Sequence, residues 1–174
     1  MIDVISFTDE KNKKLGTYFQ DSKNSLINNI GSLDDVCVLK EVGSEICTMS
    51  NVNQIMSNIN NKCICAVYTH GNPFAFMANG KSYITKENTL HFKDTFVYST
   101  ACLTARDIGK QLVDDGCLAF VGFKEESQVL CDPDYANVIM NCDQACLFAF
   151  LNDNINLKEA LKLAITYYNT QIEN

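Results

Sequence analysis

Neither G-x-G-x-x-G nor G-x-x-x-x-G-K-[ST] occurs in the 174 residues, so a phosphate-cradling nucleotide module is not expected. The serine-hydrolase elbow G-x-S-x-G is absent too. There is no C-x-x-C and there are only two histidines, so the spacings of a zinc site are missing and neither a metal nor another cofactor is expected. No apolar run approaches the roughly 18 residues needed to span a bilayer. The opening Met1-Ile2-Asp3-Val4-Ile5 has no basic start and no long apolar stretch, unlike a signal peptide. The expected location is therefore cytoplasmic, with no membrane partner. Lys and Arg number 14 against 21 Asp and Glu, a net charge of −7. Phosphate backbones are bound by clustered cations, so nucleic acid is not an expected partner.

What is present describes an ordinary globule. The length is that of one domain, expected to cover residues 1–174, and it is enough to bury a core without staples. Hydrophobic residues make up 47% and charged residues 20%, the balance of a soluble fold. Nine cysteines are many, and the number is odd. Cys37, Cys63, Cys65, Cys102 and Cys117 lie in or beside apolar, strand-like runs, where a reduced cysteine acts as a small hydrophobe. Cys63 and Cys65 share one face of a strand, and Cys142 and Cys146 can share a helical face.

Short apolar runs alternate with helical stripes. Val4–Phe7 reads as a first strand, and Leu15, Tyr18, Phe19, Ser22 and Leu26 recur at helical spacing before Gly31. Val36–Leu39 reads as a second, buried strand. Ser50 or Asn51 is placed to cap a helix with Val52, Ile55, Met56 and Ile59 inward. Cys63–Tyr68 is a third strand, running into Thr69-His70-Gly71. Asn79-Gly80, between Phe74–Met77 and Lys81–Ile84, is a strong hairpin signal because both residues tolerate positive φ. Thr95–Ser99 is a fourth strand, ending at Thr100-Ala101-Cys102. A helix is expected from about Ala105 to Asp115, with Ala105, Ile108 and Leu112 inward and Gly116 as its stop. Leu118–Phe123 follows as a fifth strand, then a polar loop from Lys124 to Asp134, a helix around Tyr135 to Leu151, and a last helix from Asn156 with Glu159 as capping-box partner. The stripe of that last helix is Leu157, Leu161, Ala164 and Tyr168.

The pattern predicts an α/β fold: a three-layer αβα sandwich on a mostly parallel central sheet, with a small β-hairpin insertion. In such sheets the functional crevice lies beyond the carboxyl ends of the strands. His70 and Cys102 fall there, on what would be neighbouring strands. A thiol nucleophile needs an imidazole within reach and donors for an oxyanion. His70 supplies the first. The backbone N–H groups of Gly71 and Cys102 are candidates for the second. His91, in Leu90-His91-Phe92, follows no strand and reads as structural or exposed.

The ordered set Ala66-Val67-Tyr68-Thr69-His70-Gly71, the hairpin, and Tyr98-Ser99-Thr100-Ala101-Cys102-Leu103-Thr104 resembles the caspase-like cysteine peptidases. This superfamily includes caspases, metacaspases, legumains, gingipains, separases and CHAT domains. CHAT and gingipain-like members look nearest, with a Thr two residues past the nucleophile, a helix ending at Gly and a strand with Val-Gly, here Val121-Gly122. The Gln-Ala-Cys-x-Gly signature of true caspases is absent, and specificity for Asp does not carry over.

The resemblance implies a cysteine endopeptidase acting on a protein or peptide substrate through a Cys102–His70 dyad, with Gly71 and Cys102 holding the oxyanion. Its substrate pocket would draw on the loop after the first strand, here with Asp9 and Glu10, and on loops near the nucleophile. Asp132 and Asp134 lie in the loop after the fifth strand. These acids either favour Arg or Lys before the cut by charge-assisted pairing or are solvated loop acids. Bacterial domains of this kind often serve regulated cell death or defence, an analogy at the level of fold that brings a regulatory protein partner with it. The alternative is a catalytically inactive caspase-like scaffold that binds a partner.

Overall fold

The computed structural model describes residues 2–59, 61–127, 133–153 and 155–173. By its contacts the chain forms two compact units, Met1–Ser127 and Gln128–Asn174.

The first unit is built on five parallel strands. β1 (Ile2–Thr8) leads through α1 (Gly16–Ile30) to β2 (Val36–Val42), and α2 (Met49–Ser57) returns the chain to β3 (Cys63–Tyr68). An antiparallel excursion follows as β4 (His70–Asn72), β5 (Ala75–Ala78) and β6 (Lys81–Thr85). A 3₁₀ turn, Thr89–Phe92, then leads to β7 (Thr95–Ser99), α3 (Ile108–Asp114) and β8 (Ala119–Val121). The large sheet has the order β2-β1-β3-β7-β8, and every pairing in it is parallel. The order reverses beside β1, the kind of switch point at which open α/β sheets form their crevice.

One face of this sheet carries a continuous core. Ile5 and Phe7 of β1, Cys65 and Val67 of β3 and Val97 of β7 pack with Val52 and Met56 of α2, Phe76, Tyr83 and Ile84 of the small sheet, and Ile108 and Leu112 of α3. Tyr18, Phe19, Leu26 and Ile30 of α1 are buried outside that cluster, against β1, β2 and β3. β3, central in the order, is buried along its whole length, as a strand covered on both faces must be.

Several local expectations are corrected. Val36–Leu39 is not a fully buried strand. β2 runs on to Val42 at the sheet edge, and Leu39 is the extra residue of a register shift opposite Val4 and Ile5 of β1, unpaired and 51% exposed. Thr48, not Ser50 or Asn51, caps α2, its hydroxyl accepting the Asn51 N–H at 3.4 Å. α3 begins at Ile108 rather than near Ala105, because the Ile108 N–H is taken by the Pro73 carbonyl at 2.8 Å and the Gly109 N–H by the Thr104 carbonyl at 2.8 Å, so no i→i−4 bond closes the earlier turn. β8 is only three residues long and half-buried, as the other edge strand. The Asn79-Gly80 hairpin is present between β5 and β6, with φ of 51° and 69° at the two turn residues. That is the left-handed pair a type I′ turn demands.

The second unit is a pair of packed helices, α4 (Pro133–Asn152) and α5 (Leu157–Glu173). Pro133 opens α4 instead of sitting in the preceding loop, the position where its missing N–H costs nothing. Asn156 caps α5 by accepting the Glu159 N–H at 3.1 Å. The buried side of α5 carries Ala160 and Ala164, with Leu157 and Tyr168 half-buried, while Leu161, expected in that stripe, is 44% exposed and Ala160 takes its place. Tyr168 donates to the Asp143 carboxylate at 2.5 Å. Among the described residues no helix is long and apolar enough to cross a membrane.

Candidate active site

β3 and β7 are hydrogen-bonded neighbours in parallel register, with Val67 opposite Ser99. Their carboxyl ends therefore emerge side by side. The chain stays coupled just past them, since the Thr100 N–H donates to the Val67 carbonyl at 3.1 Å. His70 does not close β3, as its sequence position implies. β3 stops at Tyr68, Thr69 turns the chain, and His70 begins β4 opposite Met77 of β5. Thr69 is buried at that corner and its hydroxyl meets the Tyr83 hydroxyl at 3.1 Å. The His70 ring is half-buried and meets Phe19 of α1 edge-on, with centroids 5.3 Å apart and an interplanar angle of 86°.

Gly71 brings the two strand ends together. A Cβ on this residue would stand 2.5 Å from Cγ2 of Thr104, 2.9 Å from Cβ of Ala101 and 2.9 Å from the carbonyl oxygen of Cys102. These separations are below any ordinary carbon contact, so the backbone of β4 lies directly against the turn that carries the thiol, and only glycine permits the approach.

That turn is braced throughout. The Ser99 hydroxyl accepts the Ala101 N–H at 2.9 Å, and the buried Thr104 hydroxyl donates back to the Ala101 carbonyl at 2.9 Å. Leu103, immediately after Cys102, has φ of 64°. A branched residue in the left-handed region is strained, and such strain persists only where the surroundings over-determine it. Cys102 itself is half-buried. Its sulfur accepts the Ser127 N–H at 3.3 Å and lies 3.7 Å from the Ser127 carbonyl oxygen. The hydroxyls of Thr8 and Thr100, at the carboxyl ends of β1 and β7, are buried with no hydrogen-bond partner among the described residues. They are polar groups at the strand ends that the fold does not use.

The acids are placed differently from the expectation of an open pocket. Asp9 is buried, and its Oδ1 accepts the Ser44 hydroxyl at 2.9 Å and the Asn79 N–H at 3.2 Å. Glu10 accepts the Ser44 N–H at 2.8 Å and lies 3.0 Å from the Ser44 hydroxyl, whose single proton serves one carboxylate at a time. Both acids thus tie the end of β1 to the loop after β2, and Asp9 ties it to the hairpin turn as well. Asp132 and the side chain of Asp134 lie outside the described residues. His91 is exposed and bonds through Nδ1 to the Ser57 hydroxyl at 3.0 Å. Among the described residues no group of His, Cys, Asp and Glu is arranged to hold a metal ion.

Two residues of the segment around the thiol turn, Ser127 and Arg106, escape a reading of the sequence alone. Ser127 reaches Cys102 from 25 positions away, a contact no local pattern announces. Arg106 donates from Nε to the Lys124 carbonyl at 2.5 Å and from Nη2 to the Glu125 carboxylate at 2.7 Å. It carries a signal that could have been used, because it is the only arginine in the chain and stands four residues after Cys102. A cavity of about 530 Å³, lined by Asn72, Phe74, Asp107 and Ile108 among others, starts two residues past His70. Neither His70 nor Cys102 lines it, and the chemistry of the thiol turn outweighs its size. No family model, no curated protein and no solved structure matches the chain.

Proposed function

We propose that the chain is a cysteine endopeptidase of caspase-like plan, cutting peptide bonds with Cys102 as nucleophile and His70 as its acid–base partner. The observation that supports this most is the close approach of Gly71 to the Cys102 carbonyl, which joins the His-Gly and Ala-Cys segments at one rim of the sheet. On this reading the small antiparallel sheet is an insertion that carries His70 to the rim, and the helices on the faces complete a three-layer sandwich.

The chemistry is acyl transfer. The Cys102 thiol passes its proton to His70 as its sulfur adds to the carbonyl carbon of the scissile bond, and the oxygen becomes an oxyanion held by the N–H groups of Gly71 and Cys102. The tetrahedral adduct collapses to a thioester, and the amine leaves with a proton from His70. Water, deprotonated by His70, adds to the thioester; the carboxylate product departs and the thiol is restored. A carboxylate in the pocket would favour Arg or Lys before the cut by charge-assisted pairing. Glu10 is the acid offered for it, since it keeps contact with solvent where Asp9 does not. A protein substrate in the cytoplasm, within a regulated bacterial defence or cell-death system, belongs to the same proposal.

The test is hydrolysis of fluorogenic peptides carrying Arg, Lys, Asp or Leu before the reporter. Wild-type protein is expected to release the Arg or Lys reporters, while Cys102→Ala and His70→Ala lose at least about a hundredfold in kcat/KM. No turnover of any peptide by a folded wild-type protein would count against the enzyme. It would favour a partner-binding scaffold, a reading that also draws on the Ser127 backbone lying against the sulfur.

A further inference from the structure

Past β8 the chain does not leave the neighbourhood of the thiol. The Phe123 carbonyl accepts the Ala105 N–H at 3.0 Å and the Glu125 carbonyl accepts the Leu103 N–H at 3.3 Å, a two-rung ladder beside the turn after Cys102. Arg106 grips the same segment with two donors, one to the Lys124 carbonyl and one to the Glu125 carboxylate. Two residues on, Ser127 meets the sulfur with both its backbone N–H, at 3.3 Å, and its carbonyl oxygen, at 3.7 Å.

An acyl carbon must come within about 3–3.5 Å of a sulfur to be attacked. The Ser127 backbone already occupies one side of that shell. We propose that residues 123–127 form a strap that closes over the Cys102 thiol in the resting protein, with Arg106 as its latch. Its meaning for catalysis rests on Cys102 being the nucleophile; the covering of the thiol does not.

The strap has the character of a gate rather than a wall. Lys124, Glu125 and Glu126 are exposed, and Phe123 and Ser127 are only half-buried, so none of the five anchors deeply in the core. The side chains of Arg106 and Glu125 are 44% and 81% exposed, and a pair so hydrated contributes little to holding the strap shut. Segments with few buried contacts and solvent-exposed hydrogen bonds open locally without global unfolding. The latch is chemically specific all the same. A planar guanidinium serves a carbonyl and a carboxylate together, which the point charge of a lysine does not reproduce. Opening would release the N–H groups of Leu103 and Ala105, both bonded to the strap when it is closed.

The experiment is alkylation of the full-length chain with iodoacetamide under native conditions. Rates at Cys102 and at the fully buried Cys65 are followed separately by peptide mass spectrometry. Arg106→Ala is expected to speed Cys102 alkylation roughly fivefold or more while Cys65 stays protected, and Arg106→Lys to recover little of the protection. An unchanged Cys102 rate overturns the strap. A slower rate overturns it too, and would mean that the Ser127 N–H activates the sulfur rather than covering it. If Arg106→Ala loosens the whole protein, both cysteines accelerate together; Arg106→Lys must then still unmask Cys102 alone, and joint acceleration in both variants sinks the proposal. Peptide hydrolysis is read separately. An unmasked Cys102 that turns over no peptide removes the peptidase and leaves the strap standing.

Discussion

A single methyl group is enough to probe how tightly the two halves of the site are joined. Gly71→Ala would drive its Cβ into Thr104, Ala101 and the Cys102 carbonyl, two of these neighbours being held by the Ser99 and Thr104 hydroxyl bonds. Overpacking of this kind costs about 1–3 kcal/mol, and displacement of a reacting group by an ångström can cost on the order of a hundredfold in rate. We expect the urea midpoint to fall modestly and kcat/KM to fall out of proportion to it. Leu103 makes the converse case. Its φ of 64° is a cost glycine would not bear, so Leu103→Gly is expected to raise stability by about 0.5–1 kcal/mol net of lost packing, measured by denaturant unfolding. That the His70-Gly71 and Ala101-Cys102 segments lie past the ends of two strands was legible in the sequence, because each dipeptide follows an apolar strand. Leu103 was not, because its backbone is set by Glu125, 22 residues on, which takes its N–H.

Among the elements, the β5–β6 hairpin is the clearest case of a local rule holding, since Asn79-Gly80 supplies its own turn geometry. What the dipeptide does not reveal is the anchor: Asn79 donates its N–H to Asp9 and its Nδ2 to the Ser44 carbonyl at 3.2 Å. Asp9→Ala strips a buried charged acceptor from Ser44 and Asn79. It is expected to cost about 1.5–3 kcal/mol in urea unfolding, with the hairpin amides exchanging faster by hydrogen–deuterium exchange. Intact stability together with an altered residue preference before the cut would instead make Asp9 a specificity acid. The edges show where reading by periodicity stops. β2 and β8 have strand-like sequences, yet their exposure depends on having a neighbour on one side only, a property of sheet order that Val36–Leu39 and Leu118–Phe123 cannot express.

For the molecule as a whole, the parallel sheet was legible as strand–helix alternation, while the spatial order of its strands and the separation into two units at Ser127 were not. The same segment that ends the first unit reaches the Cys102 thiol, so a part of the sequence with no periodic pattern sits beside it. The buried cysteines and tyrosines set a limit at high pH. Burial pushes the Cys47 thiol from an ordinary 9.0 up to about 12 and Cys146 to about 11, and raises Tyr68 and Tyr83 as well. The folded state holds these protons more tightly than the unfolded chain. Their contribution is therefore complete below about pH 9 and lost as pH rises from there toward about 12. Urea midpoints should be flat through neutrality and decline above about pH 9, and a midpoint that rises over that range would contradict the assignment. The central claim is that one imidazole and one thiol act together. It is tested most directly by labelling with a peptidyl acyloxymethyl ketone, read by intact mass and site mapping in wild type, Arg106→Ala and His70→Ala. The account predicts a single adduct on Cys102, formed faster in Arg106→Ala and lost in His70→Ala; labelling indifferent to His70, or spread over other thiols, contradicts it.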